Sequence, residues 1–202
     1  MTRKITPIDR ILLLITCLLA AYLVVKGVEG LPILATWAYA TAFGVLLIAG
    51  LLIIINGFDV LDSHLVVIVA AIIPLGLSLG MVIENLPPDW HLAYLVFVVI
   101  GFLAILLTRF LIPDRAATIV LATVHGAAGL LIFSLPIALV LQGIKAPMYL
   151  FMSAGGALIG IGGMLLAFSK SGRPILSAER IFMLLPWILL LMSASFVLGL
   201  GA

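Results

Sequence analysis

His125 is the one histidine of this 202-residue chain that lies deep inside a long run free of Asp, Glu, Lys and Arg. It falls nine residues beyond Ala116, where that run begins, which is roughly 14 Å along a helix. Thr118, Ala122, His125 and Gly129 recur at three- and four-residue spacing and so share one small, polar helix face. An imidazole on such a face can titrate or contact a ligand in an internal cavity. It can equally make an interhelical hydrogen bond in its neutral form, a contact worth about 0.6 kcal/mol on average. The run Ala146–Ser169 carries a second pattern, a continuous stripe of Ser153, Gly156, Ala157, Gly160, Gly163 and Ala167, with Gly156 and Gly160 as a GxxxG pair. Small residues at this spacing let two helix backbones approach closely, and the expected partners are Gly126 and Gly129. The alternative is a groove in which a lipid, pigment or substrate lies against bare backbone. The candidate binding residues are therefore His125, Thr118, Gly129, Ser153, Gly156 and Gly160.

Other chemistries lack their residues. There is no His-Glu-x-x-His pair for a zinc hydrolase, and no pair of carboxylates deep in a run. A bis-histidine haem needs two histidines at one depth, whereas His64 and His125 differ by about 16 Å of helical rise. A retinal Schiff base needs a lysine inside a run, and none is present. The single cysteine, Cys17, allows neither an intramolecular disulfide nor a multi-cysteine metal site. Asp59, Asp62 and His64 share one turn and offer the nearest approach to a metal site, but Asp62 and Ser63 are also what a capped, solvated turn requires. No catalytic residue, metal or cofactor is assigned.

The elements that position these residues are read from seven uncharged runs: Ile11–Val25, Leu31–Phe58, Leu65–Ile83, Trp90–Thr108, Ala116–Ile144, Ala146–Ser169 and Ile181–Ala202. Most have the length of about 18 or more apolar residues that marks a membrane span. Ile11–Val25 is shorter and is expected to extend by snorkelling of Arg10 and Lys26. With 65% hydrophobic and 9% charged residues, and a mean hydropathy of +1.44, the chain lies far from soluble composition. The expectation is an all-α, polytopic membrane protein of seven transmembrane helices, one plus three hairpins, forming a single domain over 1–202. The hairpin turns are Gly57–His64, Phe110–Arg115 and Lys170–Arg180. Its expected partners are the lipid bilayer and other membrane proteins or further copies of itself. A net charge of +2 without a basic run excludes nucleic acid. Arg3, Lys4 and Arg10 resemble the start of a signal peptide, but only six residues separate Arg10 from Cys17 and the apolar run continues beyond it.

Counting Lys and Arg by side gives Arg3, Lys4, Arg10, Arg109, Arg115, Lys170, Arg173 and Arg180 on one side, against Lys26 and Lys145 on the other. Cytoplasmic loops carry the excess, so the chain is expected in the cytoplasmic (inner) membrane with its N-terminus on the cytoplasmic side and its C-terminus on the external side (N-in/C-out). Tyr22, Tyr39, Tyr94, Tyr149, Trp37 and Trp90 all fall at outer span ends, where interfacial aromatics collect. Pro32 is expected in a first helical turn, Asp89 and Asp114 as N-caps, and Pro74, Pro136 and Pro186 as interruptions of the third, fifth and seventh spans. Function is expected to be that of an accessory, scaffold or assembly component of the membrane. A small transporter or channel for a neutral or apolar solute, with His125 and the glycines near its path, is the alternative, and a metal-dependent lipid enzyme at Asp59, Asp62 and His64 comes third.

Overall fold

The structure is a computed structural model that describes residues 3–27, 30–112, 114–170 and 176–201, with side chains throughout these except 114, 115 and 167–170. All regular structure in them is helical: α1 (Pro7–Lys26), α2 (Ile33–Asn56), α3 (His64–Ala70), α4 (Ile72–Asn85), α5 (Pro88–Leu111), α6 (Asp114–Leu141), α7 (Leu150–Lys170) and α8 (Ala178–Leu200), with 3-10 turns at Phe58–Asp62 and Pro147–Tyr149. With α3 and α4 taken as one broken element, seven helices are long and apolar enough to cross a membrane. They match the seven uncharged runs. The capping role expected of Asp114 and the end of the small-residue stripe at Ala167 lie outside the described side chains, as residues 171–175 of the last turn lie outside the described backbone.

Local chemistry sets the helix ends. α1 begins earlier than its apolar run because Thr6 and Asp9 form a capping box: Asp9 N–H donates to Thr6 Oγ1 at 3.2 Å and Thr6 N–H donates to Asp9 Oδ2 at 2.8 Å. Pro7 fills the first helical position. The helix reaches 20 residues, about 30 Å, so no stretching of a short span is needed at this end. Pro32 is the N-cap residue of α2 rather than part of its first turn. Pro87 caps α5 and Pro88 opens it, which places Asp89 inside the first turn, where its charge complements the helix dipole, and not at the cap. Ser63 occupies the N-cap of α3 without a side-chain capping bond.

α1, α2, α4, α6, α7 and α8 form a closed ring, each packed on the next and α8 returning to α1, while α5 lies outside against α3, α4 and α6. The centre of the ring is filled. Phe43 of α2, Leu77 and Met81 of α4, Ile132 of α6, Met152 of α7 and Phe196 of α8 are all fully buried there. Phe43 and Phe196 meet edge to face with centroids 6.0 Å apart.

Glycine sets how tightly the ring closes. A Cβ on Gly76 of α4 would sit 2.8 Å from the Ala38 carbonyl oxygen of α2, one on Gly199 of α8 2.8 Å from the Met152 backbone nitrogen of α7, and one on Gly156 of α7 2.7 Å from Ile132 Cγ2 and 3.1 Å from the Ile132 carbonyl carbon of α6. The expected α6–α7 contact is corrected here. Gly156 packs on Ile132 and Phe133, whereas Gly126, Gly129, Gly160 and Gly163 would meet no atom within 4 Å. The two helices part because each follows another neighbour. Leu166 of α7 joins Leu13, Ile53, Phe58 and Leu185, while Val124 and Ala128 of α6 join Ile68, Ala71, Leu75 and Ile105. Toward the N-terminal rim, the end at which α1, α3, α6 and α8 begin, the glycines of α6 and α7 are therefore uncovered, a wedge defined by those glycine faces alone.

The prolines act unequally. Each removes a backbone donor and frees the carbonyl four residues earlier. Pro74 frees Ala70, and there the third span breaks into α3 and α4. α6 and α8 run unbroken past Pro136 and Pro186, so those two interruptions are not formed. The carbonyl freed by Pro186 is that of Phe182, and Arg3 Nη1 donates to it at 2.9 Å. Arg3 also pairs with Asp9 at 3.1 Å, with Asp9 almost fully buried.

Gly156→Leu is expected to lower stability by at least about 1–3 kcal/mol, or to prevent accumulation, while Gly160→Leu changes it by less than about 0.5 kcal/mol; unfolding in mixed micelles measures both. Arg3→Ala is expected to cost about 1–3 kcal/mol, because a buried carboxylate and a carbonyl lose a donor. Pro186→Ala in that background should restore part of the loss by returning an N–H to the Phe182 carbonyl, a coupling that a double-mutant cycle reads directly.

Candidate functional site

The densest polar constellation lies at the rim opposite the N-terminus. α4 ends there with Glu84 and Asn85 in its last turn, before Pro87 and Pro88. α6 ends at the same rim in a Schellman motif: Gly143 adopts φ 71°, its N–H donates to the Val140 carbonyl at 3.0 Å, and Ile144 N–H donates to the Leu139 carbonyl at 2.9 Å. That reversal brings Lys145 back over the ring. Ala146, extended before Pro147 as expected for a pre-proline residue, then leads into the 3-10 turn that carries Tyr149.

Five side chains from α2, α4 and the α6–α7 connection converge. Lys145 Nζ donates to Glu84 Oε1 at 2.6 Å, and Tyr39 Oη of α2 donates to Glu84 Oε2 at 2.7 Å. Asn85 Nδ2 donates to Tyr149 Oη at 3.1 Å and to the Met81 carbonyl at 3.0 Å. Lys145 Nζ also lies 4.8 Å from the centroid of the Tyr149 ring, within reach of a cation–π interaction. The Glu84 side chain is only 8% exposed, while that of Lys145 is 31% exposed. The carboxylate thus has both oxygens engaged, as a buried charge requires. Tyr39 and Tyr149 are themselves part of the central core, so the cluster caps the filled ring directly.

The candidate residues read from the sequence are not gathered into one site. Thr118, His125 and Gly129 are partly exposed along α6. His125 Nδ1 is enclosed and has no hydrogen-bond partner among the described residues. Ser153 of α7 is buried with its Oγ likewise unpartnered, while Gly156 is in contact with α6 and Gly160 is not. Ser153 lies one turn to one side of the Gly156–Ile132 contact and His125 two turns to the other, so about 15 Å of helical rise separates them. His125 does share its level with Gly160 and Gly163, beside the wedge. His64 is exposed at the start of α3, and His91 Nε2 donates to the Leu86 carbonyl at 2.9 Å. Among the described residues no group of three His, Cys, Asp or Glu is placed to hold a metal ion.

The sequence reading passed over Glu84, Asn85 and Lys145 as span-end residues and took Tyr39 and Tyr149 for interfacial anchors. The available signal was that all five fall at the same end of their spans. What was not visible is that partners 45 and 61 residues apart meet. No protein family, curated protein or solved structure matches the chain.

Tyr39→Phe removes one hydrogen bond to a buried charged acceptor without changing ring volume. It is expected to lower stability by about 1.5–3 kcal/mol, measured by unfolding in mixed micelles. Unchanged stability would mean that Glu84 Oε2 does not depend on Tyr39.

Proposed function

We propose that the chain is a multi-pass integral component of the cytoplasmic membrane and acts there as a non-catalytic accessory, scaffold or assembly element. The observation that supports this reading best is the filled centre of the ring, from Tyr39 and Tyr149 at one rim through Phe43, Met81, Ile132, Met152 and Phe196. At both rims the buried carboxylates find their cation within the chain, Glu84 with Lys145 and Asp9 with Arg3. Such an interior favours a rigid body that works through its surface over one that passes solute through its middle.

The N-terminus is proposed to face the cytoplasm because eight of the ten Lys and Arg fall, by their sequence positions between the apolar runs, on the side of the N-terminus. The aromatic argument is narrower than the sequence implied. Trp37, Trp90 and Tyr22 are exposed as interfacial anchors are, whereas Tyr39 and Tyr149 are buried in the polar cluster. The charge count is unaffected, since it depends on residue type and side alone.

One observation favours the second reading, a small transporter for a neutral or apolar solute. A Cβ added to Gly126, Gly129, Gly160 or Gly163 would meet no atom within 4 Å, and His125, whose enclosed Nδ1 has no partner among the described residues, falls on the same stretch of α6.

Reporter fusions after Ser63, Arg115 and Ser171 are expected to read cytoplasmic, and one after Pro88 external. In proteoliposomes, osmotic swelling with small neutral solutes should match that of protein-free vesicles. Swelling that depends on the protein and is lost in a folded His125→Leu variant would replace the scaffold reading with the transporter reading.

A further inference from the structure

We propose that the rim formed by Glu84, Tyr39, Asn85 and Tyr149 is a binding site for a primary ammonium group, and that Lys145 is its tethered occupant. The two surfaces that receive the ammonium are Glu84 Oε1, 2.6 Å from Lys145 Nζ, and the face of the Tyr149 ring, 4.8 Å away at its centroid. Each is held by a residue with no bond to the ammonium: Tyr39 fixes Oε2 of the carboxylate and Asn85 fixes Oη of the ring. A site whose receiving groups are positioned from behind keeps its shape when the occupant leaves. Among the described residues Glu84 is the only hydrogen-bond acceptor recorded for the Lys145 ammonium, and the Lys145 side chain is 31% exposed. Arg3 at the other rim is different. Its guanidinium bridges Asp9 and the Phe182 carbonyl together, which makes it part of the frame, whereas lysine is a point charge on a flexible stem.

The contact geometry sets the ligand class. A separation of 2.6 Å to a carboxylate oxygen requires an N–H donor, so a primary ammonium fits and a quaternary one does not. Two sources carry this group, a soluble alkylamine and the headgroup of phosphatidylethanolamine. Lys145 competes with either at the millimolar or higher effective concentration of a short tether. The site is therefore best read with the tether removed. The proposal concerns the chemistry of the rim and goes beyond either functional reading above.

The test is thermal unfolding of purified Lys145→Ala in detergent, which leaves Glu84 without its cation and bonded to Tyr39. Its Tm is expected to fall by about 5 °C or more. Ethylammonium at tens of millimolar should recover at least half of that fall in a saturable way, while sodium and tetramethylammonium at equal ionic strength do not. The parent protein should show no such response. Glu84→Gln/Lys145→Ala should lose the response, which ties it to this carboxylate. Lys145→Ser provides the same comparison where the alanine variant does not accumulate. Nanodiscs separate the sources: stabilisation of the variant by phosphatidylethanolamine over phosphatidylcholine assigns the lipid headgroup, and rescue by ethylammonium alone assigns a soluble amine. Equal effects of ethylammonium, tetramethylammonium and sodium, or a response that survives Glu84→Gln, overturn the proposal.

Discussion

A polar group inside an apolar helical bundle must find its partner within the protein, since neither lipid nor packed side chains will hydrogen-bond it. The arrangement of this chain follows from how few such groups it contains and how the charged ones at its two rims are answered. The backbone supplies several of them, because Pro74, Pro136 and Pro186 each free a carbonyl. At Ala70 the helix breaks, and α4 starts two residues later at Ile72. At Phe182 the helix continues, and the N-terminal segment, 179 residues away in sequence, places Arg3 on the exposed oxygen. That single contact joins the start of the chain to its last helix and helps to close the ring between α1 and α8. Asp9 then completes two tasks, capping α1 with Thr6 and neutralising Arg3.

The same rule at the opposite rim produces a different device. Glu84 ends the most buried span of the seven, so its carboxylate emerges over the core and not into open solvent. Tyr39 and Lys145 engage one oxygen each. The result ties α2, α4 and the α6–α7 connection together through a single side chain. The gross Coulombic attraction of such a pair is largely offset by desolvation, so its contribution is to register and orientation more than to net stability.

Much of the fold was legible in the chain because its signals are local. Run length matches all seven helices that are long and apolar enough to cross a membrane, and Pro87-Pro88 marks an end that the backbone obeys. Small residues correctly pointed to close helix contact at Gly156. They could not show which glycines make contact. Gly160 belongs to the same stripe and faces open space, because the course of α7 below Gly156 is set by Leu166 and α8, not by its own face. The functional constellation was less legible still. Glu84 and Lys145 look like ordinary span-end charges, and tyrosines at span ends look like interfacial anchors. Only the packing of α2 against α4, and the turn after α6, brings them together. His125, which stood out by its isolation, is left with an unpartnered nitrogen at the edge of the wedge, away from the cluster that holds most of the polar chemistry.

The two ends of the ring therefore have opposite mechanical character. At the Glu84 rim, Tyr39 and Tyr149 belong to a core to which all six ring helices contribute, and the ion pair lies across them. At the N-terminal rim the same helices divide into two clusters, one around Phe58 and Leu185 and one around Ile105 and Val124. The contact of Gly156 with Ile132 lies between these regions and is the last place where α6 and α7 touch through glycine on the way to the wedge. The Glu84–Lys145 pair joins α4 to the α6–α7 connection at the first rim, whereas Arg3 joins the N-terminal segment to α8 at the second. Each rim is thus tied by one cation, but the tie at the Glu84 rim lies over a core shared by the whole ring.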